Sequence, residues 1–545
     1  MTAAAGEVTD AVVIGSGINA LVAAAELAGA GWSVRVLERN DRIGGFIDSG
    51  ERTVPGYIHD TYSSWHPLFV SGGAYGALAD DLARHGLSYA NTDGAVTASV
   101  AGNGHTVVAQ RDPAATVAHF AHAADGERYL AALESFGASA DLIGGLLGGE
   151  LRSPATLSIL SRMVRRNKID GTEALLRDAV TSGRGWCRRE FTGTEVDQLW
   201  VPWLLHAGLA PDSASGGLMI PIFAATMHGF GLPIVTGGAA NFVAAFAGLL
   251  AERGVRVHTG ADVTEITVTN GRATGVVTAD GTRHVAARAV IASVTPAALY
   301  GSLLSPAVSG RAAVASARSY RFGRAAMHIH LALSAPPRWT DSRLDSVPLI
   351  HLSDGSTSTA IACAQAEAGM LPARPTVVVG QQFVIDPSRV PSGAGSLWIQ
   401  LQEVPFFPTA DAGASITVDG SWNAATTQAY ADRVLDLIDT HAPGVRESVV
   451  GMEVLTPRDL QRHNVNAEFG DPYAGSAELD QNFIWRPAVA GGRHRTAVEG
   501  LWHIGASTHP GPGLGGGSGA IVAAALTTPP LGTRVRERLR AGLSR

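Results

Sequence analysis

Across 545 residues the chain has two cysteines, Cys187 and Cys363, and no CxxC or CxxxxC pair among them. A disulfide that relays electrons is excluded, and a reducing compartment, the cytoplasm, suits such a composition. Basic residues are not in excess: 41 Lys and Arg stand against 48 Asp and Glu, for a formal net charge of -7. Nucleic acid, which asks for a basic face, is therefore excluded as a partner. The first residues, Met1 to Glu7, lack the basic start and apolar core of a secretory leader. Charged residues make up 16% of the chain and aromatics 6%, and none of Asp, Glu, Lys or Arg occurs from Ser213 to Ala251. Pro221, Gly229, Gly231 and Pro233 interrupt that stretch, which argues against a bilayer-spanning helix, because breakers leave backbone groups unpaired in lipid.

Glycine is what the chain has in quantity, with 65 residues, beside a hydrophobic fraction of 46%. That balance and the length predict a compact enzyme of two interleaved domains rather than a disordered chain. The predicted organisation has five segments. Residues 1–70 open a dinucleotide-binding domain, 71–235 form a mainly helical substrate domain, and 236–298 return to the first domain. Residues 299–495 complete the substrate domain, and 496–545 close the first one and end in an Arg-rich tail with Arg534, Arg536, Arg538, Arg540 and Arg545. The expected fold class is α/β: a discontinuous Rossmann-type domain with an inserted mixed α+β domain.

The strongest signal is near the start. The apolar run Ala11-Val12-Val13-Ile14 is followed by Gly15-Ser16-Gly17-Ile18-Asn19-Ala20, an alanine-rich helix pattern, and a second strand, Ser33 to Leu37. This fits GxGxxG/A between a strand and a helix. Gly15 allows the turn, Gly17 lets backbone approach a pyrophosphate, Ala20 is small enough for helix and strand to pack, and the helix N-terminus offers N–H groups to phosphate. Glu38 ends the second strand about 20 residues on, where an acid accepts hydrogen bonds from ribose hydroxyls. No second strand-anchored motif of this kind is apparent for a nicotinamide nucleotide.

The run Glu38-Arg39-Asn40-Asp41-Arg42-Ile43-Gly44-Gly45 resembles the start of the phytoene desaturase-related and amine-oxidase-like FAD-dependent flavoproteins. The far end resembles the same family through Gly505-Ala506-Ser507-Thr508-His509-Pro510-Gly511-Pro512-Gly513-Leu514-Gly515-Gly516-Gly517-Ser518-Gly519. Between them, Tyr62 to Phe69 and Gly475 to Gln481 look like its phytoene desaturase branch, so the likeness covers nearly the whole chain. The resemblance implies FAD held by Gly15, Gly17, Ile18, Asn19, Ala20, Glu38, Arg39, Gly44 and Gly45, with Val263 meeting the adenine. Gly505, Ala506, Gly513, Leu514, Gly515 and Gly516 would close over the flavin, their N–H groups favouring its reduced form. It implies an oxidoreductase that dehydrogenates or oxidises an apolar substrate, polyene-like or alicyclic, by hydride transfer to flavin N5, with oxygen or a quinone as electron acceptor. An amine oxidase, a redox-neutral isomerase or saturase, and a non-catalytic flavin-binding protein remain alternatives.

Candidate catalytic residues are His509, inside the closing motif, and His66, after Trp65. His228 reads better as a core histidine than as a substrate contact, and Trp200, Trp203, Phe223 and Phe230 are candidates for an apolar pocket. His328 and His330 alternate along a strand and share a face, but no third ligand follows at metal spacing, so no metal is expected. Arg152, Arg162, Arg165, Arg166 and Lys168 beside Leu157, Ile159, Leu160 and Met163 suggest a helix able to rest on an anionic membrane, making peripheral contact a further expectation.

Overall fold

The computed structural model describes residues 8–487 and 492–528; the lead Met1 to Glu7 and the Arg-rich tail lie outside them. The opening unit forms as the pattern requires. Strand β1 (Thr9–Ile14), helix α1 (Ile18–Gly29) and strand β2 (Val34–Leu37) follow one another, and the two strands pair in parallel. Its alanines keep α1 slim enough to pack on the last helix, Gly517–Thr527, where a Cβ at Gly519 would come 2.0 Å from the carbonyl of Asn19.

Three distant parts of the chain build this first sheet. β1 lies between β2 and the strand Arg283–Ser293, β2 pairs with Arg256–His258, and Leu501–Ile504 pairs in parallel with Arg283–Ser293 on its other side. The chain runs from β1 to β2 on one side, while the neighbour on the other side arrives from a much later segment. This reversal opens the crevice at the C-terminal end of β1 where parallel α/β sheets bind ligands.

The second sheet runs Val449–Leu455, Ala325–Leu333, Gly395–Val404, Val377–Gly380, Leu349–Leu352, Ala95–Val100 and Thr106–Gln110. Its last two strands come from the stretch expected to be mainly helical. They are short, buried and not strictly alternating, a pattern that does not separate buried strand from buried helix. Elsewhere the two-residue period is plain. Met327, Ile329, Leu331, Leu397, Ile399 and Leu401 face Tyr430, Val434 and Ile438 of the helix Ala424–His441, while His328, His330, Trp398, Gln400 and Gln402 point to the opposite face. Helices Ala123–Leu147, Pro154–Val180 and Gly216–Phe230 cover the neighbouring flank. By length and composition the first of these could cross a bilayer; the uncharged Gly216–Phe230 helix is shorter and holds Pro221.

Candidate active site

A cavity of about 610 Å³ joins the two sheets. One end is the turn after β1. Gly15 adopts φ +87°, a left-handed conformation that favours glycine, and a Cβ there would sit 3.3 Å from the carbonyl of Ser293. Gly17 is different: its φ of -64° suits any residue, and a Cβ would meet nothing within 4 Å. The protein leaves open space in front of Gly17, as close backbone approach by a ligand requires.

Glu38 is buried beside this turn. Its Oε2 accepts from the hydroxyl of Ser16 at 2.6 Å and its Oε1 from the backbone N–H of Asn40 at 2.9 Å. Gly15, Gly17, Ile18 and Asn19 line the cavity, as do Glu38, Arg39, Gly44 and Gly45. Val263, Gly505, Ala506, Gly513 and Leu514 join them from the far segments. Three expected cofactor residues do not. Ala20 is enclosed within α1, the N–cap glycine Gly516 holds φ +68° with a Cβ position 2.7 Å from Val22, and Gly515 lies against the carbonyl of Leu68. Packing accounts for the small size of Ala20 and Gly516.

Neither candidate catalytic histidine lines the cavity. His66 is fully buried, with Nδ1 3.0 Å from the hydroxyl of Tyr89 and its ring edge-on to Phe242. Nε2 of His509 lies 2.8 Å from the carbonyl of Leu146, at the end of the helix Ala123–Leu147. Burial pushes the first imidazole down to about 3 and the second to about 4, so both stay neutral. His509 belongs to a brace instead: His494 bridges the carbonyl of His509 at 2.8 Å and the carboxylate of Glu150 at 2.9 Å, tying the closing loop to the helical flank. The structure thus places neither His66 nor His509 on the cavity wall.

Several lining residues carry no motif in the sequence. His328 and Gln400 face each other directly across two antiparallel strands, and His330 faces Trp398. Of these, His328, Trp398 and Gln400 reach the cavity, with Gln402, whose amide donates to the hydroxyl of Tyr473 at 2.8 Å. Trp203, an expected pocket residue, and His206, three residues apart on the 3-10 helix Pro202–Ala207, have ring centroids 4.5 Å apart at a 31° tilt and line it too. Phe223 does so as expected; Trp200 is core and Phe230 is 43% exposed. His228 is a satisfied core histidine between the hydroxyl of Tyr129, at 2.6 Å, and the carbonyl of Gln110, at 2.8 Å. Buried Arg486, which no sequence motif marks, donates to the carbonyls of Ala506, Ser476 and Tyr473 and fixes the closing loop over the cavity. Among the described residues, no group of three His, Cys, Asp or Glu side chains is placed to hold a metal ion.

The parallel sheet, the open space before Gly17 and the buried acid after β2 define a dinucleotide-dependent oxidoreductase class of site. Residues 21–377 match the family described as flavin containing amine oxidoreductase, and the chain belongs to that family. The chain is 25% identical to the rat (Rattus norvegicus) pyridine nucleotide-disulfide oxidoreductase domain-containing protein 2, over 94% of its own length and 92% of the relative's. It is 25% identical to a lycopene-forming phytoene desaturase of Paracoccus sp., over 54% of each chain. In fold it resembles an oxidoreductase from Methanosarcina mazei (TM-score 0.60, 16% identity, 94% of this chain and 99% of that one). It also resembles cyclohexylamine oxidase from Brevibacterium oxydans (TM-score 0.56, 16% identity, 95% and 98%). The chain is an FAD-dependent oxidoreductase, and the resemblance met in its end motifs holds for the family.

Proposed function

We propose that this protein dehydrogenates or oxidises an uncharged, largely apolar small molecule, with the parallel sheet and its returning segments acting as a discontinuous FAD-binding domain. The cavity itself carries this reading. The side chains it receives from the second sheet, the Pro202–Ala207 turn and the Gly216–Phe230 helix include Trp398, Trp203, Phe223 and Met227 and none of Asp, Glu, Lys or Arg. Such walls desolvate a C–H bond and hold it in place. When bound, FAD supplies the two-electron acceptor. The chain's part is to cradle the pyrophosphate at Gly15 to Asn19, meet the ribose with Glu38, fix the closing loop through Arg486, and exclude water. With FAD in place, the two electrons and two protons given up by the substrate would pass on to oxygen or a quinone.

An amine oxidase is favoured by one observation, the gathering of Tyr62, Trp65, Trp398 and Tyr473 around the same cavity. Anaerobic titration of the yellow holoprotein separates the two. Bleaching of the flavin band by alicyclic or polyene compounds, and not by primary amines or NADPH, is the expected result; bleaching by amines alone moves the assignment to amine oxidation, and by NADPH to a reductase.

Cytoplasmic location with contact to an anionic membrane completes the reading. Its support is two free, buried cysteines and the outer face of the Pro154–Val180 helix before its break at Lys168, where Leu157, Leu160 and Val164 are 44–69% exposed.

A further inference from the structure

Resting on the reading of this cavity as the substrate site, we propose that the substrate carries a neutral oxygen acceptor, a carbonyl or hydroxyl, that docks on an N–H at Nδ1 of His206. The argument begins with a pair of histidines. Nε2 of His206 lies 3.2 Å from Nε2 of His351 on the strand Leu349–Leu352, so one of the two nitrogens carries the shared proton and the other accepts it. His351 is wholly enclosed, and its Nδ1 has no hydrogen-bond partner among the described residues.

If His206 donated, the one proton of neutral His351 would sit on that Nδ1 as a buried N–H with nothing to receive it. If His351 donates, its Nδ1 is a bare lone pair. Proteins tolerate a buried acceptor without a donor better than the reverse. The pair therefore runs from His351 to His206, and the proton of His206 sits on Nδ1.

His206 lines the cavity, and its Nδ1 has no protein partner among the described residues. Unlike the Nδ1 of His351, it is not sealed by protein, and the side chain that carries it is part of the cavity wall. Burial holds the imidazole down to about 3, keeping it a neutral donor. Nearby, the amide nitrogen of Gln402 donates to Tyr473, whose hydroxyl donates to the carbonyl of Leu205 at 2.7 Å, while the indole N–H of Trp203, the indole N–H of Trp398 and Nδ1 of His328 are sealed by protein and out of a ligand's reach. An unpartnered neutral N–H among aromatic walls selects an oxygen acceptor and repels an ammonium group. A plain hydrocarbon leaves it unsatisfied.

The test uses the FAD-loaded protein and two probes of one shape, decalone and decalin, with binding read from tryptophan fluorescence. Decalone is expected to bind about tenfold tighter, the worth of one hydrogen bond in such surroundings. His206→Leu should abolish that preference, and His206→Asn, whose amide nitrogen takes the place of Nδ1, should restore part of it. Nitrogen NMR of protein labelled at histidine should place the proton on Nδ1 in the resonance lost from His206→Asn. Equal binding of the two probes, a preference that survives His206→Leu, or a proton on Nε2 of His206 overturns the inference and leaves the apolar cavity standing. Failure of both probes to bind overturns the inference together with the substrate-site reading beneath it.

Discussion

Gly15 and Gly17 stand two residues apart and are glycine for different reasons. The first answers to its own backbone, the second to a ligand, because the chain itself would accept a side chain at Gly17. Gly17→Val should therefore melt within about 0.5 kcal/mol of the parent when both are stripped of FAD, as a substitution into open space does. Its FAD occupancy after reconstitution, read from visible absorption, should fall at least about tenfold. Glu38→Ala should lose FAD too, but at a cost to the stripped protein as well, since Ser16 and the Asn40 backbone lose their acceptor. Full yellow colour in both variants would remove the pyrophosphate and ribose assignments. The glycine motif is legible in the sequence because all its parts lie within 30 residues. The place of His509 is not, because its partner Leu146 is 363 residues away.

At the scale of elements, two-residue alternation was enough to put His328 and His330 on one face. It could not say what that face meets, since Gln400 arrives from the strand Gly395–Val404. The Pro154–Val180 helix shows the same division. Its basic run, Arg152 to Lys168 with no acid between Glu150 and Asp170, is visible in the sequence. Its orientation is a tertiary fact: Ile159 turns inward and Arg166 pairs with Asp141, while Leu157, Leu160 and Val164 point out. A second copy laid on this stripe would bring like charges together, whereas anionic lipid would neutralise them. The protein should float with phosphatidylcholine–phosphatidylglycerol vesicles and not with phosphatidylcholine alone, and Leu160→Glu with Val164→Glu should abolish flotation. No flotation, or a dimer that the same substitutions dissolve, would refute lipid contact.

Over the whole molecule, burial has made histidine a liability in acid. His59, His503 and His509 are pushed down to about 4, and His66, His206 and His328 to about 3, in each case chiefly by desolvation. Each is neutral in both folded and unfolded chains above pH 6.5. Below it the unfolded chain takes up protons that the folded one refuses, so the stability these groups allow is lost as pH falls from 6.5 toward 3–4. At pH 5 the loss is about 2 kcal/mol for each such residue. Melting temperature should drop steeply between pH 6.5 and 5, and a profile flat across that window would contradict the enclosure of these side chains.

The sequence by itself determined the cofactor and the family, because a strand, a glycine turn, a helix and an acid close enough to be read together make a site whose chemistry is local. Its glycine-rich end marked where the chain returns to close that site. Only the tertiary structure decided what the cavity offers a substrate. Its walls come from the Pro202–Ala207 turn, the Gly216–Phe230 helix and strands of the second sheet, and no short-range pattern ties His206 to His351, 145 residues apart. Aromatics at 6% of the chain reveal nothing of where they gather; folding brought Trp65, Trp203, Trp398 and Tyr473 to the wall of one cavity.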